Sequence, residues 1–256
     1  VLIRNNARSR VARVNKSLLP GAGSLEAVTK KAGEIRNWFY ARTLPWLSSG
    51  ARIIKTEGYL DFTSELRRRV SEWERLVDRF VMEYPDLVQA AQDELQGLYD
   101  PNDYPPVEHI RDKFSIRARF APVPDADDWR IQLADDEIAS LKAQITRDVL
   151  EAQSSAMKEA WKRLYECVEH AVERLSDPKA IFRDSLVKNA EELCRILPSL
   201  NLTNDPLLEA RRQELERALC GLDPKDLRKY PDLRKQTADQ LQDIMNKMGA
   251  FYQMAA

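Results

Sequence analysis

One apolar stripe, running from Ile138 to Leu175, constrains the fold of this chain more than any other feature of its sequence. Its members recur at steps of three or four residues, so that 37 residues pass in ten steps. That period is close to the 3.6 residues per turn of a straight α-helix, and it predicts one helix of roughly 60 Å. A helix of that length must protrude or lie against a partner. The stripe consists of Ile138, Leu141, Ile145, Val149, Ala152, Ala156, Ala160, Leu164, Val168, Ala171 and Leu175.

The middle of this stripe contains only small side chains, at Ala152, Ala156 and Ala160. Such a strip lets a second helix approach closely. Packing within the chain and packing against another copy explain it equally well.

The remaining sequence is also predicted to be mostly helical. A charged fraction of 32% with only 8 glycines is typical of long, solvent-exposed helices. Ser24 is a candidate N-cap for a helix that ends near Arg42. A second helix starts at Phe62 and is expected to break at Pro85, after which another runs to about Tyr99.

Asp-Pro pairs divide the C-terminal third, because aspartate suits an N-cap and proline suits the first helical position. They stand at residues 177–178, 205–206 and 223–224. The predicted helices there cover residues 178–197, 206–220 and 231–254, and Gly221 is expected to end the middle one.

One region has the alternation of apolar and polar residues that is typical of strands. Residues 114–120 and 129–133 predict a β-hairpin, and residues 11–14 could supply a third strand. The predicted fold is therefore mainly α, with long amphipathic helices packed around a small antiparallel β-hairpin or sheet. We expect a basic N-terminal region with the hairpin, residues 1–135, and a helical region with the long helix, residues 136–256, or one continuous domain.

The net charge of −1 conceals an uneven distribution. Residues 1–57 carry 11 basic and 3 acidic side chains, whereas residues 85–140 carry 5 basic and 13 acidic ones. Aromatic residues are interleaved with the cations, and single-stranded nucleic acid is held by cations on phosphates and aromatic rings on bases. Neutralisation of the basic segment by the acidic one is the competing interpretation. The candidate nucleic-acid-binding residues are Arg4, Arg8, Arg10, Arg13, Lys30, Lys31, Arg36, Trp38 and Arg42.

Catalytic and metal-binding patterns are sparse in the sequence. Cys167 and His170 could hold half of a zinc site, but no second pair completes four ligands. The acidic clusters at residues 125–128 and 135–137 are better explained as a turn and a helix N-terminus than as a cation site. We therefore predict no catalytic residues, no metal and no cofactor. The three cysteines, Cys167, Cys194 and Cys220, are expected to be buried and reduced.

Several strings nevertheless resemble a known family. These are Lys16 to Pro20, Thr43 to Trp46 with Gly50 and Arg52, Pro122 to Ala126, and Asp177-Pro178 followed by Phe182 to Leu186. In this order they resemble a family of tailed phages and integrative mobile elements catalogued as domain of unknown function 3150. The resemblance spans nearly the whole chain. The resemblance implies that the gene lies near the genes of a MoxR-type AAA+ ATPase and a von Willebrand factor A protein. It also implies a role in DNA processing or in an AAA+-driven assembly.

Three functions are compatible with the sequence. The first is a non-catalytic phage or mobile-element protein that forms a homo-oligomer and acts as an assembly or adaptor component. The second is a protein that binds single-stranded DNA through its basic N-terminal segment, and the third is a metal-dependent hydrolase. No apolar run is long enough to cross a bilayer and no stretch is typical of a signal peptide, so we expect a cytoplasmic location with no membrane partner. The resemblance to a phage family implies that the cell is a bacterial host.

Overall fold

The computed structural model describes residues 16–47, 50–123, 135–177 and 179–255, without the side chains of residues 135–136 and 250–255. It confirms the predicted class, a mainly α-helical fold with long amphipathic helices and a small antiparallel hairpin. None of the helices in these ranges is both long and apolar enough to span a bilayer. The α-helices are α1 Gly23–Ala41, α2 Tyr59–Leu95, α3 Val107–Ile110, α4 Asp135–Ser176, α5 Ser185–Leu200, α6 Pro206–Leu219, α7 Pro224–Lys229 and α8 Pro231–Ala255.

The hairpin is where the chain differs most from expectation. It joins β1 (Leu44–Pro45) to β2 (Arg52–Ile53), with Leu44 opposite Ile53. Gly50 has a φ of +92° in the connecting turn, a conformation that glycine adopts without strain. The prediction of a strand at residues 114–120 is wrong, and its proposed partners at 11–14 and 129–133 lie outside the described residues.

Residues 114–120 have no regular secondary structure. Phe114 and Ile116 are half-buried while the residues between and beyond them are exposed. The Phe114 ring packs edge-on against Trp73 and Phe80 of α2, at centroid distances of 6.4 and 5.5 Å. Phe114 therefore packs on a helix instead of facing a strand partner, and the later apolar residues of the alternation, Ala118 and Phe120, stay exposed.

The chain folds into two compact units that do not follow the predicted boundary at residue 135. Apart from the undescribed residues, the first unit consists of the chain up to Asn37 together with Ser64–Phe120. The second consists of Trp38–Thr63 and the chain from Ala121 onward. The hairpin and the end of α1 thus belong with the C-terminal helices, which the sequence pattern did not indicate.

The first unit is built largely on α2, whose buried face includes Trp73, Val77, Phe80 and Tyr84. The expected break at Pro85 does not occur, and α2 continues to Leu95. Tyr84, 3% exposed, donates a 3.0 Å hydrogen bond from its hydroxyl to the Pro105 carbonyl. Burial of apolar side chains along α2 therefore outweighs the local cost of a proline inside the helix.

The long helix of the second unit is confirmed, with 42 residues in α4. The three alanines of its stripe are buried, and Ala156 and Ala160 lie in a core with residues of α5, α6 and α8. The close approach that they allow is thus made within the chain. Leu44 of β1 is fully buried in the same core.

The Asp-Pro pairs start helices at two of their three positions. Asp205 accepts hydrogen bonds from the amides of Leu207 and Leu208, at 2.8 and 3.4 Å, and also from the Trp161 indole at 2.9 Å. Asp223 caps the short α7 in the same way. Asp177 instead accepts the amide of Lys179 in a turn, and α5 begins only at Ser185, not at 178 as predicted.

Phe182 explains the late start of α5. Its side chain is 5% exposed, and the guanidinium groups of Arg228 and Arg234 lie 5.5 and 5.2 Å from its ring centroid. Arg234 also donates to the carbonyls of Leu175 and Ala180. These contacts hold residues 179–184 in an irregular conformation ahead of α5.

Candidate functional site

Three arginine side chains of the second unit lie around the C-terminal end of α1. We call Arg42, Arg52 and Arg163 the arginine cluster. Arg52 donates from Nε to the Thr43 hydroxyl at 2.9 Å and from its terminal nitrogen to the Thr43 carbonyl at 2.5 Å. Arg163 of α4 donates to the carbonyls of Ala41 at 3.0 Å and Thr43 at 3.2 Å. The two guanidinium groups therefore converge on one backbone carbonyl.

The electrostatics of this cluster follow from that convergence. Burial, followed by repulsion from Arg163, lowers the pKa of Arg52. Tyr40 and Glu159 raise the pKa of Arg52. The Tyr40 ring lies 4.7 Å from the Arg52 guanidinium, and Glu159 forms a 3.0 Å ion pair with Arg163. The free carbonyls at a helix C-terminus carry partial negative charge and favour cations. The guanidinium N–H groups of Arg52 and Arg163 at this helix end thus donate their hydrogen bonds to backbone carbonyls of the same chain.

Arg42 and Trp38 of the predicted nucleic-acid site are also engaged within the second unit. Arg42 forms an ion pair with Glu192 of α5, and its guanidinium lies 5.3 Å from the Trp38 ring centroid. Trp38 is 8% exposed and stacks on Phe62 with centroids 4.9 Å apart. A base cannot stack on a ring that is buried in this way, so the structure removes Trp38 from the candidate residues. Three adjacent aromatic residues in a helix force some of them inward, and Trp38 is the most buried of them.

The other α1 cations belong to the first unit. Lys31 forms a 2.6 Å ion pair with Glu72 of α2. Lys30 and Arg36 are exposed, and no acidic partner is found for either among the described residues. Because they are six positions apart, they lie about 120° apart around the helix and do not form one stripe. Arg4, Arg8, Arg10 and Arg13 lie outside the described residues.

Neutralisation of the basic segment by the acidic one is seen at one described position of the first unit. Lys16 pairs with Asp103 and donates a 2.9 Å hydrogen bond to the Leu98 carbonyl. The hydroxyl of Tyr104 donates to the Leu18 carbonyl at 2.8 Å. Here a basic residue is used to dock the chain on its acidic segment.

Cys167 and His170, the candidate half of a zinc site, differ in their surroundings. His170 is exposed, while burial raises the pKa of the Cys167 thiol to about 12. A thiol with that pKa is a poor metal ligand and a poor nucleophile at neutral pH. In the portion of the chain that the structure describes, no group of three or more His, Cys, Asp or Glu side chains is arranged to hold a metal ion. The acidic cluster at 125–128 lies outside the described residues.

Known proteins offer no relative that would assign a role to these residues. No protein-family model, no curated protein and no solved structure matches this chain. The resemblance to domain of unknown function 3150 therefore stays an expectation.

One pair of functional groups was missed by the sequence reasoning. Cys194 of α5 and Cys220 at the end of α6 have their Sγ atoms 3.9 Å apart. They stand 26 positions apart in the sequence, without the short spacing that marks redox motifs. Only the packing of α5 against α6 brings them together.

Proposed function

We propose that this chain is a non-catalytic, oligomerising protein that acts as an assembly or adaptor component of a phage or mobile element. The proposed partner, an AAA+ ATPase or a von Willebrand factor A protein, and the link to DNA processing both rest on the resemblance to domain of unknown function 3150. One structural observation supports the oligomeric part of this proposal. It concerns the first turns of α4, which extend beyond the helix packed along it.

The length of α4 that α8 leaves uncovered follows from how α8 lies on α4. Arg234, in the first turn of α8, donates to the carbonyls of Arg174 and Leu175 in the last turn of α4, at 2.7 and 3.0 Å. From there α8 runs back along α4. It has 25 residues against 42 in α4. The difference of 17 residues corresponds to roughly 25 Å of α4 that α8 does not reach.

The apolar stripe continues along this part of α4. Ile138, Leu141, Ile145 and Val149 remain half-buried, whereas the stripe from Ala156 to Leu175 is almost entirely buried. Leu150, beside the stripe, is 58% exposed. A stripe of this kind on one side of a long helix is suited to packing against another helix, and another copy of the chain is the partner that we propose.

The test is the molar mass of the full chain in solution. Light scattering over a range of concentrations is expected to show a discrete oligomer whose mass does not change with salt, because apolar packing is not screened. Leu150→Glu is expected to lower that mass, since it places a charge beside the stripe. Ile181→Glu is the matched control, because Ile181 is 89% exposed and lies outside the helices. A wild-type chain that is monomeric at every concentration contradicts the proposal.

Binding of single-stranded DNA is the second candidate, supported by the exposure of Lys30 and Arg36. Its test is fluorescence anisotropy with a labelled single-stranded oligonucleotide at about 50 and 200 mM salt. Arg8→Ala with Arg10→Ala, and separately Lys30→Ala with Arg36→Ala, are expected to weaken binding. Removal of one cation that neutralises a phosphate should reduce the salt slope by about 0.7.

The control for these variants is Lys158→Ala, which removes an exposed cation from α4. Binding that falls equally in the control shows only a general charge effect. Binding that is absent at low salt eliminates this candidate.

A further inference from the structure

The neighbouring thiols of the second unit have no part in the function proposed above. Cys194 is 1% exposed on α5, and Cys220 is half-buried at the C-cap of α6. Their sulfur atoms are 3.9 Å apart, and a disulfide holds them at about 2.05 Å. We propose that Cys194 and Cys220 form a redox site that a hydroperoxide converts from a dithiol to a disulfide.

The two thiols differ in their readiness to react. When Cys220 loses its proton, only the Cys194 thiol can donate the hydrogen bond between them. That hydrogen bond lowers the pKa of Cys220, and together with burial it raises the pKa of Cys194. The negative charges of Glu191 and Glu216 raise the pKa of Cys220, while the positive charge of Arg212 lowers it. Because the thiolate is the nucleophile, Cys220, which is also the more accessible of the two, attacks first.

The reaction balances in two steps. The Cys220 thiolate attacks the hydroxyl oxygen of the hydroperoxide and the O–O bond breaks. The departing alkoxide takes a proton and leaves as an alcohol, or as water when the oxidant is hydrogen peroxide. Cys220 is then a sulfenic acid. The Cys194 thiol attacks the Cys220 sulfur, the S–O bond breaks, and the Cys194 proton leaves with the hydroxide as water. Two thiols have lost two electrons, and the hydroperoxide has been reduced to one alcohol and one water.

The disulfide would join α5 to the end of α6 and close a loop of about 27 residues. Restricting the unfolded chain in this way is expected to raise the thermal midpoint by roughly 5–10 °C. Cys167 serves as an internal reference, because its pKa of about 12 leaves very little thiolate at neutral pH.

The test treats the full chain with hydrogen peroxide, alkylates the remaining thiols and digests the protein with trypsin. The expected product links peptide 189–195 to peptide 218–225 with the loss of two hydrogens, and the free thiols fall from three to one. Dithiothreitol should reverse both the link and the rise in thermal midpoint. Cys167→Ser is the matched control and should form the same link.

The order of attack is tested with single variants. Cys194→Ser keeps a hydroxyl donor beside Cys220, so dimedone is expected to trap a sulfenic acid on Cys220. Cys220→Ser is expected to leave Cys194 unmodified under the same conditions. Oxidation without a link between the two peptides, a link to peptide 164–174 in its place, or a sulfenic acid that forms mainly on Cys194 overturns the proposal.

Discussion

Several arginine side chains of the second unit donate hydrogen bonds to helix carbonyls that lack a donor within their own helix. Arg163 reaches the carbonyl of Ala41 from 122 positions away in the sequence, and Arg52 reaches that of Tyr40 at 3.2 Å. In α5, Pro198 has no amide proton to donate to the Cys194 carbonyl four residues earlier. Arg212 of α6 supplies a donor to that carbonyl at 3.4 Å. In each case a distant guanidinium satisfies a backbone group that the helix itself cannot satisfy.

Arg163→Ala is expected to lower the free energy of unfolding by roughly 2–3 kcal/mol. It removes the donor to the Ala41 carbonyl and leaves Glu159 without its ion-pair partner. The measurement is urea denaturation followed by circular dichroism.

Lys162→Ala is the control for that prediction. Lys162 precedes Arg163 on α4, but its 3.7 Å ion pair with Glu166 is exposed. Such a pair contributes at most about 1 kcal/mol. Equal losses in the two variants would show that the contacts of Arg163 with the end of α1 add no stability.

At the scale of the element, proline shows how packing overrides local preference. Pro85 lies inside α2, where a proline removes one backbone hydrogen bond and crowds the preceding turn. The helix is nonetheless continuous, because Phe80, Tyr84 and Ala91 are buried before and after it. Pro206 has the opposite position, at the start of α6, where no intrahelical donor is lost.

Pro85→Ala is therefore expected to stabilise the chain by about 1–2 kcal/mol. The gain of a hydrogen bond and of helix propensity exceeds the added entropy of the unfolded chain. Thermal and urea unfolding both measure it. Pro206→Ala is the matched control, and it should be neutral or destabilising by up to about 1 kcal/mol. A loss of stability in Pro85→Ala would mean that the proline fits α2 better than an alanine does.

At the scale of the whole molecule, the second unit combines an early segment of the chain with its C-terminal helices. Leu44 of β1 is fully buried in the core that contains Leu164, Leu197 and Leu241. Trp46 and Ile53 pack against the same core while remaining partly exposed. The C-terminal helices therefore do not complete their own core, which requires residues from the hairpin.

Leu44→Ala tests this dependence. Removal of a fully buried leucine is expected to cost about 2–5 kcal/mol, from reduced burial and from the cavity that is left. The control is Leu47→Ala, the same substitution at a leucine three positions later that is 56% exposed. It should cost less than about 0.5 kcal/mol. The comparison is made by urea unfolding. A small effect of Leu44→Ala would show that the C-terminal helices are stable without the hairpin.

Features that depend on local periodicity and capping were predictable from the amino-acid sequence. The stripe from Ile138 to Leu175 specified α4, and Asp205 with Pro206 specified the start of α6, because each pattern acts within a few residues. The mainly α class followed from the same patterns. The strand at 114–120 was predicted wrongly because a short alternation of apolar and polar residues does not require a strand: Phe114 packs on α2, while Ala118 and Phe120 are exposed.

Contacts between residues distant in the sequence could not be predicted and became visible only in the folded chain. Folding paired Cys194 with Cys220, placed the hairpin in the core of the C-terminal helices, and buried Trp38, which the sequence had suggested for nucleic-acid binding. It also kept α2 continuous through Pro85. The physical reason is common to all four. Burial against residues distant in the chain contributes more free energy than a local conformational preference, and a single sequence does not contain the list of those distant neighbours.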